Sequence, residues 1–547
     1  MPNRQPRDVQ QEPGPPTAAR PPASAPVPLH RQAQLTRLFS EGRFAELELQ
    51  VSALLKDHPD NGFLWKGLGI ALAVQGKDGL TALQNAALYS PRDAEVYSNM
   101  GQALKDLGRL ADAMASCRQA LALKPDFSDA HNNLLLYSNY LPDHPGEQAM
   151  ADARRFGELV AAKAKPYVRW LNRPDPGRAL RVGFVSGDLR EHAVAHFLQG
   201  LVKALADGAR GRLELLAYSN HVSSDATTAA LKACFGRWCL TVGLSDAQLA
   251  EQIHRDGVDI LIDLSGHTAH NRLPVFAFKP APVQVSWLGY FATTGVQAID
   301  YVLADPLTLP PALEKDFTET VWRLPQTRLC FTPPADAPAV AELPALRQGH
   351  ITFGCFNNLS KMNEAVVALW AQVLRAVPGS RLFLKCKQLG EASLRDSVLE
   401  RFALHGIEAA RLTLEGQSPR KEYLAAYARV DIALDPFPFS GGTTTAEGLW
   451  MGVPALTLAG ERFVSRQGLG LMRNAGLPEW VAGSPEDYVA RACTLASDLT
   501  ALAALRAGLR AQVLASPVFD SAAFAQHFEA ALRAMWQRWC LAQGAAV

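Results

Sequence analysis

The apolar positions of this chain change their spacing partway along. From Leu29 to Tyr140 they fall in runs of helical length, cut at regular places by glycine and proline. Gly42, Gly76 and Gly108 recur at intervals of 34 and 32. Pro59, Pro91 and Pro125 recur at 32 and 34, and Trp65, Tyr97 and His131 follow each proline by six. Glycine permits a tight turn and proline cannot continue a helix, so each unit reads as helix, Gly turn, helix, Pro stop. Ala86, Leu88, Ala120 and Leu121 are the expected small and apolar packing positions. Repeated helix pairs stack into a superhelix with a concave groove, and such grooves commonly hold an extended polypeptide. A rigid spacer or a dimerisation surface is the alternative use. One more helix is predicted from Glu147 to Lys163, before a Pro-rich junction at Asn172–Gly177.

At Ala179 the pattern turns into short apolar runs. Strands are predicted at Leu180–Ser186, Leu213–Tyr218, Val258–Leu264, Val283–Leu288 and Tyr301–Ala304. Helical segments separate them, and alternating β and α means a parallel sheet. A Pro/Ala-rich linker covers Thr332–Gly349, and a second series follows at Ile351–Phe356, Arg381–Lys385, Leu412–Glu415, Val430–Leu434 and Ala455–Leu458. An amphipathic helix is expected from Phe519 to Ala542. The expected fold is an α-superhelix followed by two Rossmann-like doubly wound lobes, with a cleft between their strand ends. The expected division is a disordered Pro-rich tail at 1–28, repeats and linking helices at 29–178, a first lobe at 179–345, a second lobe at 350–518, and a terminal helix at 519–547.

Composition narrows the class. The 547 residues are 48% hydrophobic and 20% charged, with a net charge of +1. That balance gives no electrostatic footprint for nucleic acid or anionic membrane. The first 28 residues contain no apolar core of a signal peptide, and no later run approaches a membrane span. The eight cysteines are scattered and complete no metal set, which points to reduced thiols, a cytoplasmic setting and no metal cofactor.

The stretch Asp435-Pro436-Phe437-Pro438-Phe439-Ser440-Gly441-Gly442-Thr443-Thr444-Thr445-Ala446-Glu447 follows a predicted strand and opens a predicted helix, Thr444–Met451. Open α/β sheets bind ligands at such places. Gly441 and Gly442 let backbone approach a phosphate, and the free N–H groups of the first turn, with the Thr443 and Thr444 hydroxyls, suit an anion. Glu447 lies four residues after Thr443 on one helix face and can accept from ribose hydroxyls. The combination suggests a nucleoside diphosphate site; a plain strand–turn–helix with Thr caps is the bland reading. Lys361, just past another strand, can neutralise a leaving diphosphate. Arg420 can meet phosphate or a base edge. In the first sheet, Asp188, His192 and His196 would share a helix face, with the carboxylate raising histidine basicity and fixing its tautomer. The alternative is a helix capped by Asp188 with a surface histidine. His267 and His270 also follow a strand.

These motifs resemble the protein O-linked N-acetylglucosamine transferases, in which tetratricopeptide repeats are fused to an inverting GT-B glycosyltransferase. Four stretches carry the resemblance: Arg181–Asp188 with His192 and His196; Pro280–Tyr290, which includes Leu288 and Gly289; Cys355–Lys361; and Gly441–Trp450. The resemblance implies UDP-GlcNAc as donor, a Ser or Thr of a polypeptide in the repeat groove as acceptor, and no metal cofactor. It implies that Lys361 stabilises departing UDP. It further implies that Thr443 and Thr444 hold the diphosphate, that Asn358 lies near it, and that Glu447 holds the ribose. Arg420 would lie near the uracil, with His192 as base and Asp188 as the competing proton acceptor. Departures point to a bacterial relative: Gly442 and Tyr423 stand where animal enzymes have His, His267 where they have Tyr, and the 332–349 linker is too short for their extra domain. A protein O-fucosyltransferase of the plant Spindly type, using GDP-fucose, shares the architecture. A repeat scaffold that binds nucleotide without turnover is the rival of another class.

Overall fold

The computed structural model describes residues 26–544 of the chain. Most of the expected tail therefore lies outside the described residues. Its last part does not match the expectation, because Val27 is buried against the first repeat.

Seven helices form the repeats: α1 (Leu29–Ser40), α2 (Phe44–Leu54), α3 (Gly62–Val74), α4 (Leu80–Tyr89), α5 (Ala94–Asp106), α6 (Leu110–Leu123) and α7 (Ser128–Ser138). Gly42, Gly76 and Gly108 adopt φ of 71°, 82° and 78°, a region open to glycine at little cost. The six-residue spacing after each proline has a hydrogen-bond cause. Trp65 Nε1 donates to the Pro59 carbonyl at 2.8 Å and Tyr97 Oη donates to Pro91 at 3.3 Å, while His131 Nε2 lies 2.9 Å from the Pro125 carbonyl. Each aromatic ring thus satisfies a carbonyl at the proline stop. Ala86 and Ala120 are buried as expected, but Leu88 is 60% exposed. An extra helix, α8 (Gly146–Lys163), links the repeats to the first lobe.

The first lobe is a seven-stranded parallel sheet of order β3-β2-β1-β4-β5-β6-β7. Its strands are β1 (Leu180–Ser186), β2 (Leu213–Ser219), β3 (Arg237–Leu240), β4 (Ile260–Asp263), β5 (Val283–Ser286), β6 (Tyr301–Ala304) and β7 (Thr320–Arg323). The second lobe is a six-stranded parallel sheet of order β10-β9-β8-β11-β12-β13. Its strands are β8 (Thr352–Cys355), β9 (Arg381–Lys385), β10 (Leu412–Glu415), β11 (Ile432–Leu434), β12 (Ala455–Leu458) and β13 (Val481–Ala482). The strands that pattern reading missed, β3, β7 and β13, are edge strands. β3 and β7 are half-wet and lack the continuous apolar run that marks β4 or β8, whose residues are all buried, while β13 is buried but only two residues long.

The strand order reverses beside β1 and β4 in one lobe, and beside β8 and β11 in the other. A crevice opens at such a reversal, outside the carboxyl ends of the strands. Residues 187–192, 264–270, 356–361 and 435–444 all follow those four strands, so the two reversals gather the candidate residues.

The repeats are seated on both lobes. Asn132 on α7 meets His267 Nδ1 at 2.7 Å, and Tyr290 Oη donates to the Leu135 carbonyl at 3.1 Å. From the second lobe, Arg462 donates to the Ser138 and Leu141 carbonyls, and Lys387 to the Val74 carbonyl. The last helix, Ser521–Ala542, returns to the first lobe. There Phe528 packs on Trp287 at 5.0 Å, and Glu529 pairs with Arg212 at 2.6 Å. Trp536 is fully buried, donates to the Asp175 carbonyl at 2.9 Å, and lies under the Arg178 guanidinium at 4.6 Å. Trp536→Ala is expected to cost about 3–5 kcal/mol of stability, read by denaturant unfolding. A loss under ~1 kcal/mol would mean that the helix docks without this anchor.

All eight cysteines are free thiols, and five of them are buried. Among the described residues no single helix is long and apolar enough to cross a membrane.

Candidate active site

The second-lobe half of the site is built around Asp435, the first residue past β11. Its carboxylate is buried. It accepts from the Gly441 N–H at 2.6 Å and from Thr457 Oγ1 at 2.8 Å. Removal from water pushes its pKa up to about 6. Asp435 thereby folds the chain back at Gly441, two residues before helix Thr443–Trp450 begins. Gly441 has no room for a side chain: a Cβ there would sit 2.3 Å from Thr445 Oγ1 and 2.8 Å from Thr444 Oγ1. Gly441→Ala is expected to cut turnover at least ~10-fold while secondary structure persists, because the turn that opens helix Thr443–Trp450 must shift. Wild-type turnover in that variant would remove the turn from the site.

Lys361 closes the other side. Its ammonium donates to Asn357 Oδ1 at 3.1 Å and to the Ser440 carbonyl at 2.9 Å, and stands 4.3 Å from the centre of the Phe439 ring. Removal from water pulls its pKa down to about 8, against the pull of Asp435. Asn357 Oδ1 also accepts from Thr444 Oγ1 at 3.0 Å. One amide therefore ties Lys361 to the helix N-terminus. Asn357 and Asp435 received no role in the sequence reading. The signal available was position: both follow directly on a strand beside a sheet reversal.

Several expected residues have partners that the sequence does not reveal. Asn358 lines the same cavity as Asn357 and Lys361 but is held by other groups. Its Oδ1 caps the turn at Ser360 and accepts from Gln388 Nε2 at 2.7 Å, because the short helix Leu359–Lys361 needs that cap. Glu447 is on the expected helix and buried, but not free. It pairs with Arg420 at 2.5 Å and accepts from Tyr423 Oη at 2.9 Å. Burial raises its pKa, against the pull of Arg420. Arg420 is therefore held on Glu447.

The first-lobe half also differs from expectation. Asp188, His192 and His196 do not share a helix face, because α9 (Ala193–Gly208) begins only after His192. His192 is itself the N-cap, and its Nδ1 accepts from the Val194 N–H at 3.3 Å. Its Nδ1 lies 3.6 Å from Asp188 Oδ1, beyond a hydrogen bond. Desolvation lowers the His192 pKa, against the nearby Asp188, so the ring is neutral at pH 7. His196 lies 3.3 Å from Glu191. Its pKa falls to about 4, first through desolvation and then through Arg420 of the other lobe. Glu191 in turn acts on both Arg420 and Glu447. The His192–His196 end of one lobe thus lies within electrostatic reach of helix Thr443–Trp450 in the other.

Leu288 and Gly289 follow β5 as a tight buried turn. Leu288 has φ 78°, and a Cβ on Gly289 would lie 2.0 Å from the Leu264 carbonyl. His267 is a structural pin: fully buried, with Nε2 2.9 Å from the Thr294 carbonyl and its pKa pulled down to about 3 by burial. His270 lies against His221, ring centres 5.4 Å apart. Among the described residues no group of three or more His, Cys, Asp or Glu is arranged to hold a metal ion.

The family described as glycosyl transferase family 41 matches residues 147–331 and 341–528, and a tetratricopeptide repeat matches 94–127. The chain belongs to glycosyl transferase family 41. The match takes in all four loops at the two sheet reversals. Among solved structures, the Thermobaculum terrenum O-GlcNAc transferase is 36% identical, with a TM-score of 0.88, covering 93% of this chain and 97% of that one. A Petunia hybrida protein named probable UDP-N-acetylglucosamine–peptide N-acetylglucosaminyltransferase SPINDLY is 38% identical over 77% of this chain and 45% of its own length. A Caenorhabditis elegans UDP-N-acetylglucosamine–peptide N-acetylglucosaminyltransferase is 25% identical over 66% of this chain and 41% of its own. The chain thus spans less than half the length of these curated relatives. The fold is tetratricopeptide repeats followed by a two-lobed GT-B body, as the sequence motifs implied.

Proposed function

We propose that the chain transfers N-acetylglucosamine from UDP-GlcNAc to Ser or Thr hydroxyls of polypeptides, with inversion, in the cytoplasm. The observation that carries this reading is the Lys361–Asn357–Thr444 set at the N-terminus of helix Thr443–Trp450. Its Asn357 amide oxygen holds two donors, Lys361 Nζ and Thr444 Oγ1, side by side, as a departing diphosphate requires. The first N–H groups of that helix, with Thr443 and Thr444, hold the diphosphate. The acceptor oxygen attacks the anomeric carbon as the bond to the β-phosphate oxygen breaks. UDP departs with the electron pair, and Lys361 offsets its charge. The acceptor proton passes to a base in the His192–Asp188 loop. Glu447 with Arg420 meets the nucleoside, and the backbone of Leu288 and Gly289, with His196, lines the sugar side. Asn358 reaches the diphosphate only by leaving Gln388. The repeats at 29–178 hold the polypeptide, the first lobe at 179–345 supplies the base, and the second at 350–518 binds the donor.

The SPINDLY relatives, 38% identical, and the O-GlcNAc transferase structure, 36% identical, are about equally near this chain, so the GDP-fucose reading rests on shared architecture alone and stands second. Separate incubation with UDP- and GDP-sugars, following nucleotide release with and without a Ser/Thr peptide, tests both. Peptide-dependent UDP release from UDP-GlcNAc supports the first reading. Release from GDP-fucose alone replaces it with the second. Tight nucleotide binding without release from any sugar would make the chain a scaffold.

A further inference from the structure

Gln467 opens the helix Gln467–Asn474 beside the glycine turn. It is 1% exposed, and neither its Oε1 nor its Nε2 has a hydrogen-bond partner among the described residues. Its neighbours are pinned. Arg466 donates to the Leu307 carbonyl at 3.0 Å and the Gly460 carbonyl at 3.1 Å, and the Gly468 N–H donates to Ser440 Oγ at 3.2 Å. Gly468 also sits too close for a side chain, since a Cβ would be 2.1 Å from Thr457 Oγ1. The backbone therefore cannot slide to find the amide a partner.

The amide looks toward the diphosphate seat. Its Oε1 lies 3.6 Å from the point where a Cβ would stand on Gly442, the N-cap of helix Thr443–Trp450. A primary amide offers two donors and an acceptor, and burying all of them unpaired is costly. A buried amide with both polar atoms unmatched calls for a partner, and its place beside the glycine turn makes a ligand the fitting one. The polarity says which ligand group. Lys361, the threonine hydroxyls and the helix N–H groups are all donors, suited to phosphate oxygens. Gln467 carries donors and an acceptor on one group, which matches a sugar hydroxyl, itself donor and acceptor, better than a phosphate oxygen, which only accepts.

We propose that Gln467 reads the sugar of the nucleotide-sugar donor, taking a hydrogen bond from one hydroxyl at Oε1 and giving one to a neighbouring hydroxyl from Nε2. The proposal rests on the nucleotide-sugar reading above and adds a specificity-determining residue to it. A site built to bond a hydroxyl discriminates strongly against a donor lacking it, because the protein group is then left unpaired.

The test compares Gln467→Leu and Gln467→Met with wild type by calorimetry, on the nucleotide alone and on the nucleotide sugar that wild type turns over. Using that donor keeps the two readings apart: failure of UDP overturns the donor assignment, not the role of Gln467. Gln467→Leu is expected to weaken nucleotide-sugar binding at least ~10-fold while the free nucleotide stays within about 2-fold. Equal losses for nucleotide and nucleotide sugar would overturn the proposal, as would no loss for either. Gln467→Met keeps the length, adds no charge beside the diphosphate seat and removes both polar groups, so it carries the same split should the leucine variant fail to fold.

Discussion

Replacing Lys361 by alanine is expected to lower turnover by ~10²-fold or more, the usual loss when a preorganised electrostatic stabiliser is removed. The structure explains why so much rests on one side chain. Among the described residues its ammonium bonds to two neutral oxygens, Asn357 Oδ1 and the Ser440 carbonyl, and stands over the Phe439 ring. Neither neutralises it, so its charge is available to a leaving diphosphate. Lys361→Met keeps the alkyl stem against Phe439 and removes only the charge, so it separates chemistry from packing. The lowered pKa adds a second readout. With a value of about 8, the ammonium is mostly charged at pH 7 and loses its proton as pH rises through 8. Since the cation is the form that binds an anion, wild-type UDP affinity is expected to fall above pH 8, by up to about tenfold per unit. The methionine variant is expected to bind more weakly and to show no such slope. Equal affinities and parallel pH profiles would remove Lys361 from the site.

Much of this architecture was legible in the sequence. The repeats were readable because each marker has a local cause: a positive φ at Gly42, Gly76 and Gly108, and a ring bonding back to each proline carbonyl. The central strands were readable because a parallel strand buried on both faces is a continuous apolar run. The edge strand β7, only partly buried, carries no such run. Within the site, position relative to a strand end was legible, while the partner of each side chain was not. Nothing in the spacing of Asn357 and Asn358 says which amide turns toward Lys361; Ser360 and Gln388 decide that by claiming Asn358. In the same way, a four-residue spacing implied that Asp188 and His192 stack on a helix, but the turn that ends β1 runs on through His192. The partners of Glu447, Arg420 and Tyr423, were not legible because they lie more than twenty residues away in sequence.

Removing the His192 imidazole is expected to cut turnover by ~10²–10⁴-fold, the range for loss of a positioned general base, with UDP affinity unchanged within a few-fold. Inverting transfer needs a proton acceptor beside the incoming hydroxyl. His192 is suited by charge, because desolvation keeps it neutral at pH 7. Its tautomer is the obstacle. With Nδ1 accepting from the Val194 N–H, the ring proton sits on Nε2, which cannot then accept another. At 3.3 Å that bond is long, so the ring can give it up on turning toward an acceptor hydroxyl. The competing route sends the proton through water to Asp188, a buried carboxylate whose backbone N–H is tied to Ser186 Oγ at 2.9 Å. The two routes separate in the pH profile. If His192 is the base, kcat/KM falls as pH drops below its depressed pKa, and His192→Ala abolishes that limb along with most of the rate. Asp188→Asn then costs less, since Asp188 lies 3.6 Å from the ring and only assists. If Asp188 takes the proton, Asp188→Asn is the more damaging change and the acid limb survives in His192→Ala. Turnover within a few-fold of wild type in both variants would move the base out of this loop altogether.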